Sequence, residues 1–416
     1  MTTQTLQSDT KMIPKLRFSG FSDEWEEKSI GELGKIITGN TPSTLNRTFY
    51  SDDFMFVSPV DIENNRFVNN TKTKVSKSGF ENGRKINEGS VLFVCIGSTI
   101  GKIAQSGAEC ITNQQINSIE ANKYNSNDFI FFKLKYISKR IKLLAGSQAV
   151  PMINKTDFSM IRTSFPSLLE QQKIASFLGS IDKLIENLRN QKENLEFYKK
   201  GMMYKIFTQE IRFKDKNGEE FSKWEENKLG ELDIFVSDGN YGEMYPKASE
   251  MINKGIPFIR ANNISSLKII WSDMKYISKE LHEILKSGHL KTGDILLTTR
   301  GDIGTLAYVD EEFNNANINA QICLLRCGEN ISSRFILNYL ASKYGQKQFK
   351  ELQTGSALKQ LPKGNLAKLK INLPSFEEQK KIGEFLTYLD KVILLKNNQI
   401  VQAEQWKKGL MQGLFI

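Results

Sequence analysis

The chain has 416 residues, 57 Lys+Arg against 47 Asp+Glu, a formal net charge of +10, and 39% hydrophobic with 10% aromatic residues. That content is too apolar for a disordered chain, no run reaches the roughly 20 apolar residues of a membrane span, and the basic balance favours a polyanionic partner. Four cysteines and two histidines, without ligand spacing, exclude a recognisable zinc site and point to a reducing compartment, the cytoplasm.

Residues 1–13 read as a flexible polar tail with no apolar signal core. Residues 14–166 alternate short β-type runs (Phe54 to Val57, Ser90 to Ile96, Lys102 to Ala104, Gln115 to Ile119) with Gly and Asn punctuation, and carry a helical stretch at about Ser126 to Leu144. Through 167–210 the period changes. Apolar residues recur every seventh position, at Ile174, Ile181, Leu188, Leu195 and Met202, with Phe177, Leu184 and Tyr198 in the complementary register, which predicts a long coiled-coil-type helix. Residues 211–374 repeat the β-rich plan with Ile256 to Ile259, Asp294 to Thr299 and Gln321 to Leu325, and a helical stretch near Ser333 to Leu352. Residues 375–416 repeat the helix, with Ile382, Leu389, Ala403 and Leu410 on the same rhythm and Phe385, Val392 and Trp406 beside them.

The halves also share their wording. Leu16-Arg17-Phe18, Trp25-Glu26 and Gly31-Glu32-Leu33 return as Ile211-Arg212-Phe213, Trp224-Glu225 and Gly230-Glu231-Leu232, with the tryptophans 199 residues apart. Pro166 with Glu170-Gln171 returns as Pro374 with Glu378-Gln379, 208 residues on; Asp182-Lys183 and Lys199-Lys200-Gly201 return as Asp390-Lys391 and Lys407-Lys408-Gly409. Two amphipathic helices in one chain bury their stripes most simply against each other, and a two-fold relation between the halves makes them antiparallel. The predicted class is α+β: two similar β-rich α/β domains separated by two long helices pairing as an antiparallel coiled coil, with an internal pseudo-two-fold. Two helices each packed on its own domain is the alternative.

This ordered double occurrence resembles the specificity subunit of type I restriction–modification systems over nearly the whole chain, from about residue 14 to 416. The resemblance implies that residues 14–166 and 211–374 are target recognition domains, each reading half of a bipartite, asymmetric double-stranded DNA site. It implies that the helices at 167–210 and 375–416 form a spacer, and that two methyltransferase and two restriction subunits assemble on the chain. Such a subunit performs no chemistry; S-adenosylmethionine, ATP and Mg belong to its partners. The residues agree. No Asn/Asp-Pro-Pro-aromatic loop of an amino-methyltransferase is present, and Gly97 to Lys102 falls one residue short of a phosphate loop and reads as a turn. An orphan subunit supporting methylation only, and a DNA/RNA-binding interaction scaffold, are the other readings.

Phosphate contacts call for cations, and base contacts for forked donors and acceptors. Alignment of the copies sets Asn40 and Thr41 against Asn240 and Tyr241, and Ser58 and Asp61 against Arg260, Asn262 and Asn263. It sets Ser98, Thr99 and Lys102 against Thr299, Arg300 and Asp302, and Gln114 and Gln115 against Ala320 and Gln321. Beyond a repeated Gly-Ser, Gln148 and Lys155 match Lys359, Gln360 and Lys363 as residues that reach the DNA backbone. Arg300, Arg260 and Asn263 are the favoured base readers of the second domain; Gln114, Gln115 and Asp61 those of the first. Lys72 and Lys74 begin a stripe suited to phosphates and equally to plain solvation. Lys199-Lys200 and Lys407-Lys408 are candidate partner contacts. The copies share a scaffold and differ in these loops, as readers of different sequences should; ordinary loop drift gives the same divergence.

Overall fold

In the computed structural model, which describes residues 12–63, 65–146, 150–241 and 245–416, the chain divides into two compact units. One comprises Met1–Asn190 with Asn397–Ile416, the other Gln191–Lys396. The division falls inside both long helices, Leu168–Phe207 and Phe376–Leu414.

In the first unit the repeated motifs build a frame. Strand Glu26–Ser29, which follows Trp25, pairs antiparallel with Arg162–Phe165, the strand that ends just before Pro166. Trp25 is buried edge-on against Phe129 of helix Asn127–Leu143, with ring centroids 5.9 Å apart. Arg17 forks onto buried Glu170, with its Nε and a terminal nitrogen 2.9 and 2.8 Å from the carboxylate oxygens, while Phe18 meets Phe177 edge-on at 5.5 Å. Gln171 accepts from the Ser126 N–H at 3.0 Å and so fixes the residue that caps helix Asn127–Leu143. Inside this frame lies a five-stranded sheet in the order Gly34–Thr38, Ile116–Ala121, Val91–Val94, Ile103–Ser106, Phe67–Val68. Beside it is a four-stranded sheet, Thr73–Val75, Tyr50–Val57, Cys110–Thr112, Lys85–Ile86.

The second unit repeats these contacts. Glu225–Lys228 pairs with Lys370–Leu373, Trp224 meets Phe335 edge-on at 5.9 Å, Arg212 forks onto buried Glu378, and Phe213 meets Phe385 at 5.7 Å. Gln379 accepts from the Ser332 N–H at 2.9 Å. The main sheet runs Ile234–Asp238, Ile322–Cys327, Ile295–Thr298, Leu306–Tyr308, and a three-stranded sheet runs Lys275–Ile277, Ile256–Ile259, Asn317–Ile318. The helical stretch expected over Ser333 to Leu352 is two helices, Ser333–Ala341 and Lys343–Leu352. Ser342 breaks it by accepting from the Gly345 N–H and starting a new turn.

Within each unit the long-helix segments pack antiparallel. In the first, Asp182 pairs with Lys407 and Arg189 with Glu404, with Phe177 against Trp406. In the second, Lys199 pairs with Asp390 at 2.6 Å. The seam corrects the sequence reading in one respect. The every-seventh positions are turned inward, but their buried companions lie four residues on, at Leu178, Ile185, Leu386 and Leu414. Leu184, Tyr198 and Trp406, expected in the seam, are about half exposed, at 46%, 50% and 52%. The reason is that each helix segment also packs on the body of its unit: Ile174, Leu178, Ile181 and Ile185 share one core with Trp25, Phe129 and Phe165. A stripe shared by two partners is wider than a two-position seam and rotated from it. Full burial of such a side chain stabilises by roughly 1.5–3 kcal/mol. Lys199 and Lys407, read as surface partner contacts, are 9% and 7% exposed and neutralised by Asp390 and Asp182.

Candidate nucleic-acid interface

In both units four segments meet at one end of the main sheet, and their backbone hydrogen bonds match one for one. The N–H groups of Val94 and Thr298 donate to the Lys102 and Thr305 carbonyls, and those of Gly101 and Gly304 return to Val94 and Thr298. Those of Cys95 and Thr299 donate to Gln115 and Gln321, and those of Ile153 and Leu361 to Cys95 and Thr299. Gln115 and Gln321 are held alike: each N–H donates to the side-chain oxygen of Asn113 or Asn319, whose amide nitrogen donates back to the glutamine oxygen. The pairing of Gln114-Gln115 with Ala320-Gln321 is therefore the one the sequence suggests. The pairing of Ser98, Thr99 and Lys102 with Thr299, Arg300 and Asp302 is not. Thr299 corresponds to Cys95, Arg300 to Ile96 and Lys102 to Thr305, because the turn from Gly97 to Gly101 is one residue longer than that from Gly301 to Gly304. These four glycines have φ of 90°, 92°, 75° and 93°, so both segments are glycine-bounded turns.

The strip in the second unit carries Tyr241, Thr299, Arg300, Gln321 and Gln360. The Tyr241 hydroxyl donates to the Ala320 carbonyl at 3.0 Å, and the Arg300 guanidinium lies 5.5 Å from the Tyr241 ring centre. Burial raises the Tyr241 phenol above its ordinary range, which keeps it a donor. Arg300 is bridged to Gln360, and the Gln360 backbone exchanges hydrogen bonds with Thr354 at 3.0 and 2.9 Å to close a hairpin that bears exposed Lys359. Thr299 is 7% exposed, its hydroxyl donating to the Gln321 carbonyl. The strip in the first unit carries Thr41, Ile96, Gln114, Gln115 and Met152. Thr41 donates to the Gln114 side-chain oxygen at 2.7 Å, and Ile96 is bridged to Met152. Gln148 lies outside the described residues.

Several other sequence candidates have partners within the protein. Asn263 is fully buried: its oxygen accepts from the Arg260 N–H and its nitrogen donates to the Ile270 and Ser272 carbonyls. Asp61, its counterpart, accepts from the Ser58 N–H and hydroxyl and from the Lys72 N–H. One terminal nitrogen of the Arg260 guanidinium donates to Asp273, at 2.8 Å from its carboxylate and 2.6 Å from its carbonyl, and Asn262 faces the same carboxylate. Arg260 lowers the Asp273 pKa, with Lys275 adding to the effect. Asn40 and Asn240 clamp loop backbone, at Asn82 and Arg84 in one unit and at Lys286 and Ser287 in the other. Half-buried Lys102 donates to the Pro59 carbonyl, and the Ser98 and Asp302 carbonyls accept from Lys142 and from the Thr298 and Thr305 hydroxyls. Thr99 caps the turn through its carbonyl, which accepts from the Lys102 N–H. Lys74 lies in strand Thr73–Val75, and Lys155 and Lys363 open short helices. Sequence reasoning missed Ile96 and Met152, since apolar residues carry no signal for a polar interface.

The sequence model of the type I restriction modification DNA specificity domain matches twice, over residues 22–196 and 222–405. The chain belongs to that family. The MjaVIII specificity subunit of a type I restriction enzyme from Methanocaldococcus jannaschii is 27% identical over 414 residues, spanning 94% of this chain and 92% of its own. The HindI specificity subunit from Haemophilus influenzae is 33% identical over 175 residues, 40% of this chain and 38% of its own. A crystal structure of a type I restriction–modification S subunit from M. genitalium shares the fold, with a TM-score of 0.63 at 18% identity, covering 97% of this chain and 99% of that one. A type I specificity chain is the DNA-recognition component and not a catalytic one. No helix among the described residues is long and apolar enough to cross a membrane.

Proposed function

We propose that each unit reads one half of a bipartite, asymmetric DNA site through its four-segment strip, and that the chain directs partner subunits to that site in the cytoplasm. The partners are two adenine methyltransferase subunits, which bring S-adenosylmethionine, and two restriction–translocase subunits, which bring ATP and Mg. The observation that carries this reading is the contrast between frame and strip. Arg17–Glu170, Trp25–Phe129 and Gln171–Ser126 recur contact for contact at Arg212–Glu378, Trp224–Phe335 and Gln379–Ser332. The strips held by those frames keep Gln115 and Gln321 on matching asparagines but differ at Thr41 against Tyr241, Ile96 against Arg300, Gln114 against Ala320 and Met152 against Gln360. Exposed apolar residues along the long helices support partner docking: Leu184, Val401 and Trp406 in the first unit, and Phe197, Tyr198, Tyr388 and Leu395 in the second.

Mapping methylated adenines genome-wide, in a host carrying the chain with its partners, tests the reading. The expected motif has two unlike halves separated by unread base pairs, on the order of one helical turn. A continuous or palindromic motif overturns it. Inserting one heptad at matching places in both long helices should lengthen the unread gap and leave both half-sites unchanged.

A further inference from the structure

The one-for-one correspondence of the strips exposes a chemical difference that the sequence alignment hides. The residue after Cys95 or Thr299 is Ile96 in one unit and Arg300 in the other. Its bridged neighbour is Met152 in one and Gln360 in the other. The residue two places past the glycine that follows the first strand of the main sheet is Thr41 in one and Tyr241, against Arg300, in the other.

Arg300 is exposed, and among the described residues no carboxylate or carbonyl is hydrogen-bonded to its guanidinium. Its guanidinium lies 5.5 Å from the Tyr241 ring centre, and Tyr241 is itself tied to the Ala320 carbonyl, which positions a fork of donors that is not consumed within the protein. Such a fork matches the two acceptors, N7 and O6, of guanine. The Ile96–Met152 position has no donor fork. Ile96 is half-buried, Met152 is 50% exposed, and the Thr41 hydroxyl of this strip donates to Gln114. An apolar surface of this kind matches the C5-methyl of thymine.

Resting on the reading that these strips face DNA, we propose that this position is the main base-reading point of each half-site. It takes a guanine in the half read by the second unit and a thymine in the half read by the first. The two half-sites are then unlike because one scaffold position was filled once by an arginine on a tyrosine and once by an isoleucine beside a methionine.

The test uses the full chain expressed with its partner subunits, and reads the methylated motif from host genomic DNA by modification-sensitive sequencing. Arg300→Ala is expected to relax one guanine of one half-site, by roughly 5- to 150-fold in discrimination, and to leave the other half untouched. Ile96→Arg is expected to replace a thymine by guanine at one base pair of the other half. Arg300→Lys, which keeps the charge and loses the fork, should keep overall affinity and still relax the guanine. Thermal unfolding of each purified variant confirms that the fold is retained. An unchanged motif with Arg300→Ala, uniform weakening on all sequences, or both substitutions altering the same half-site overturns the proposal. A wild-type motif that is not bipartite overturns instead the reading on which it rests.

Discussion

Two polar side chains with the chemistry of base readers have opposite roles. Asn263 is a strut whose three hydrogen bonds hold a buried loop, whereas Arg300 lies exposed on an aromatic ring. Asn263→Ala strands those partners and should lower stability by about 1–3 kcal/mol, measured as a urea midpoint. Arg300→Ala should change the unfolding free energy by less than about 0.5 kcal/mol in the same urea titration. Lys133 is fully buried on helix Asn127–Leu143, donating to the Ser164 hydroxyl and to a backbone oxygen of Ile416 near the Trp25 and Phe415 rings. Burial, with a smaller contribution from Arg140, pushes its amine down from 10.5 to about 7. Between those values the unfolded chain holds a proton that the folded chain has released. Stability from this group therefore rises as pH climbs from about 7 towards 10 and is lowest at and below neutrality. Lys133→Met should be more stable than wild type at pH 7, with the gain shrinking by pH 9 to 10 in parallel urea titrations.

Among the elements, the Arg-Phe and Glu-Gln phrases are the clasps that tie the start of each unit to its long helix. Arg17→Ala leaves Glu170, whose side chain is 2% exposed, charged and unpaired, and should cost about 3–5 kcal/mol. Replacing both partners with apolar residues of similar volume should recover much of that loss, since no desolvated charge then remains. Equilibrium unfolding of the single and double variants measures both effects. This frame was legible in the sequence because each phrase occurs twice in the same order. The candidate interface was legible only in part. The one-residue difference between Gly97–Gly101 and Gly301–Gly304 slips any alignment made by eye, and only the backbone hydrogen bonds restore Ile96 opposite Arg300. Asn263, favoured as a base reader, is fully buried and hydrogen-bonded within the protein, because amide side chains suit base edges and buried turns equally and composition does not say which. The helix rhythm identified Ile174, Ile181, Ile382 and Leu389 as inward-facing, but could not show that the body of each unit takes part of the stripe.

At the scale of the whole molecule, chain order and spatial order disagree. The first unit is completed by residues 397–416: Ile400, Met411, Leu414 and Phe415 belong to the core built around Trp25 and Phe129. Deletion after Lys396 should therefore unfold the first unit and spare the second. Hydrogen exchange should show protection lost across Val91–Val94 and Ile116–Ala121 but kept across Ile295–Thr298 and Ile322–Cys327. The same arrangement sets a timetable during synthesis. At about 5–20 residues per second, roughly 10 to 40 seconds pass between the emergence of Asn190 and that of Asn397. Over that interval the earlier-made unit waits with Ile174, Leu178, Ile181 and Ile185 short of their covering, while the later-made one has all its parts in hand. The half translated first is the half finished last, and it is the one that most needs shelter at the ribosome.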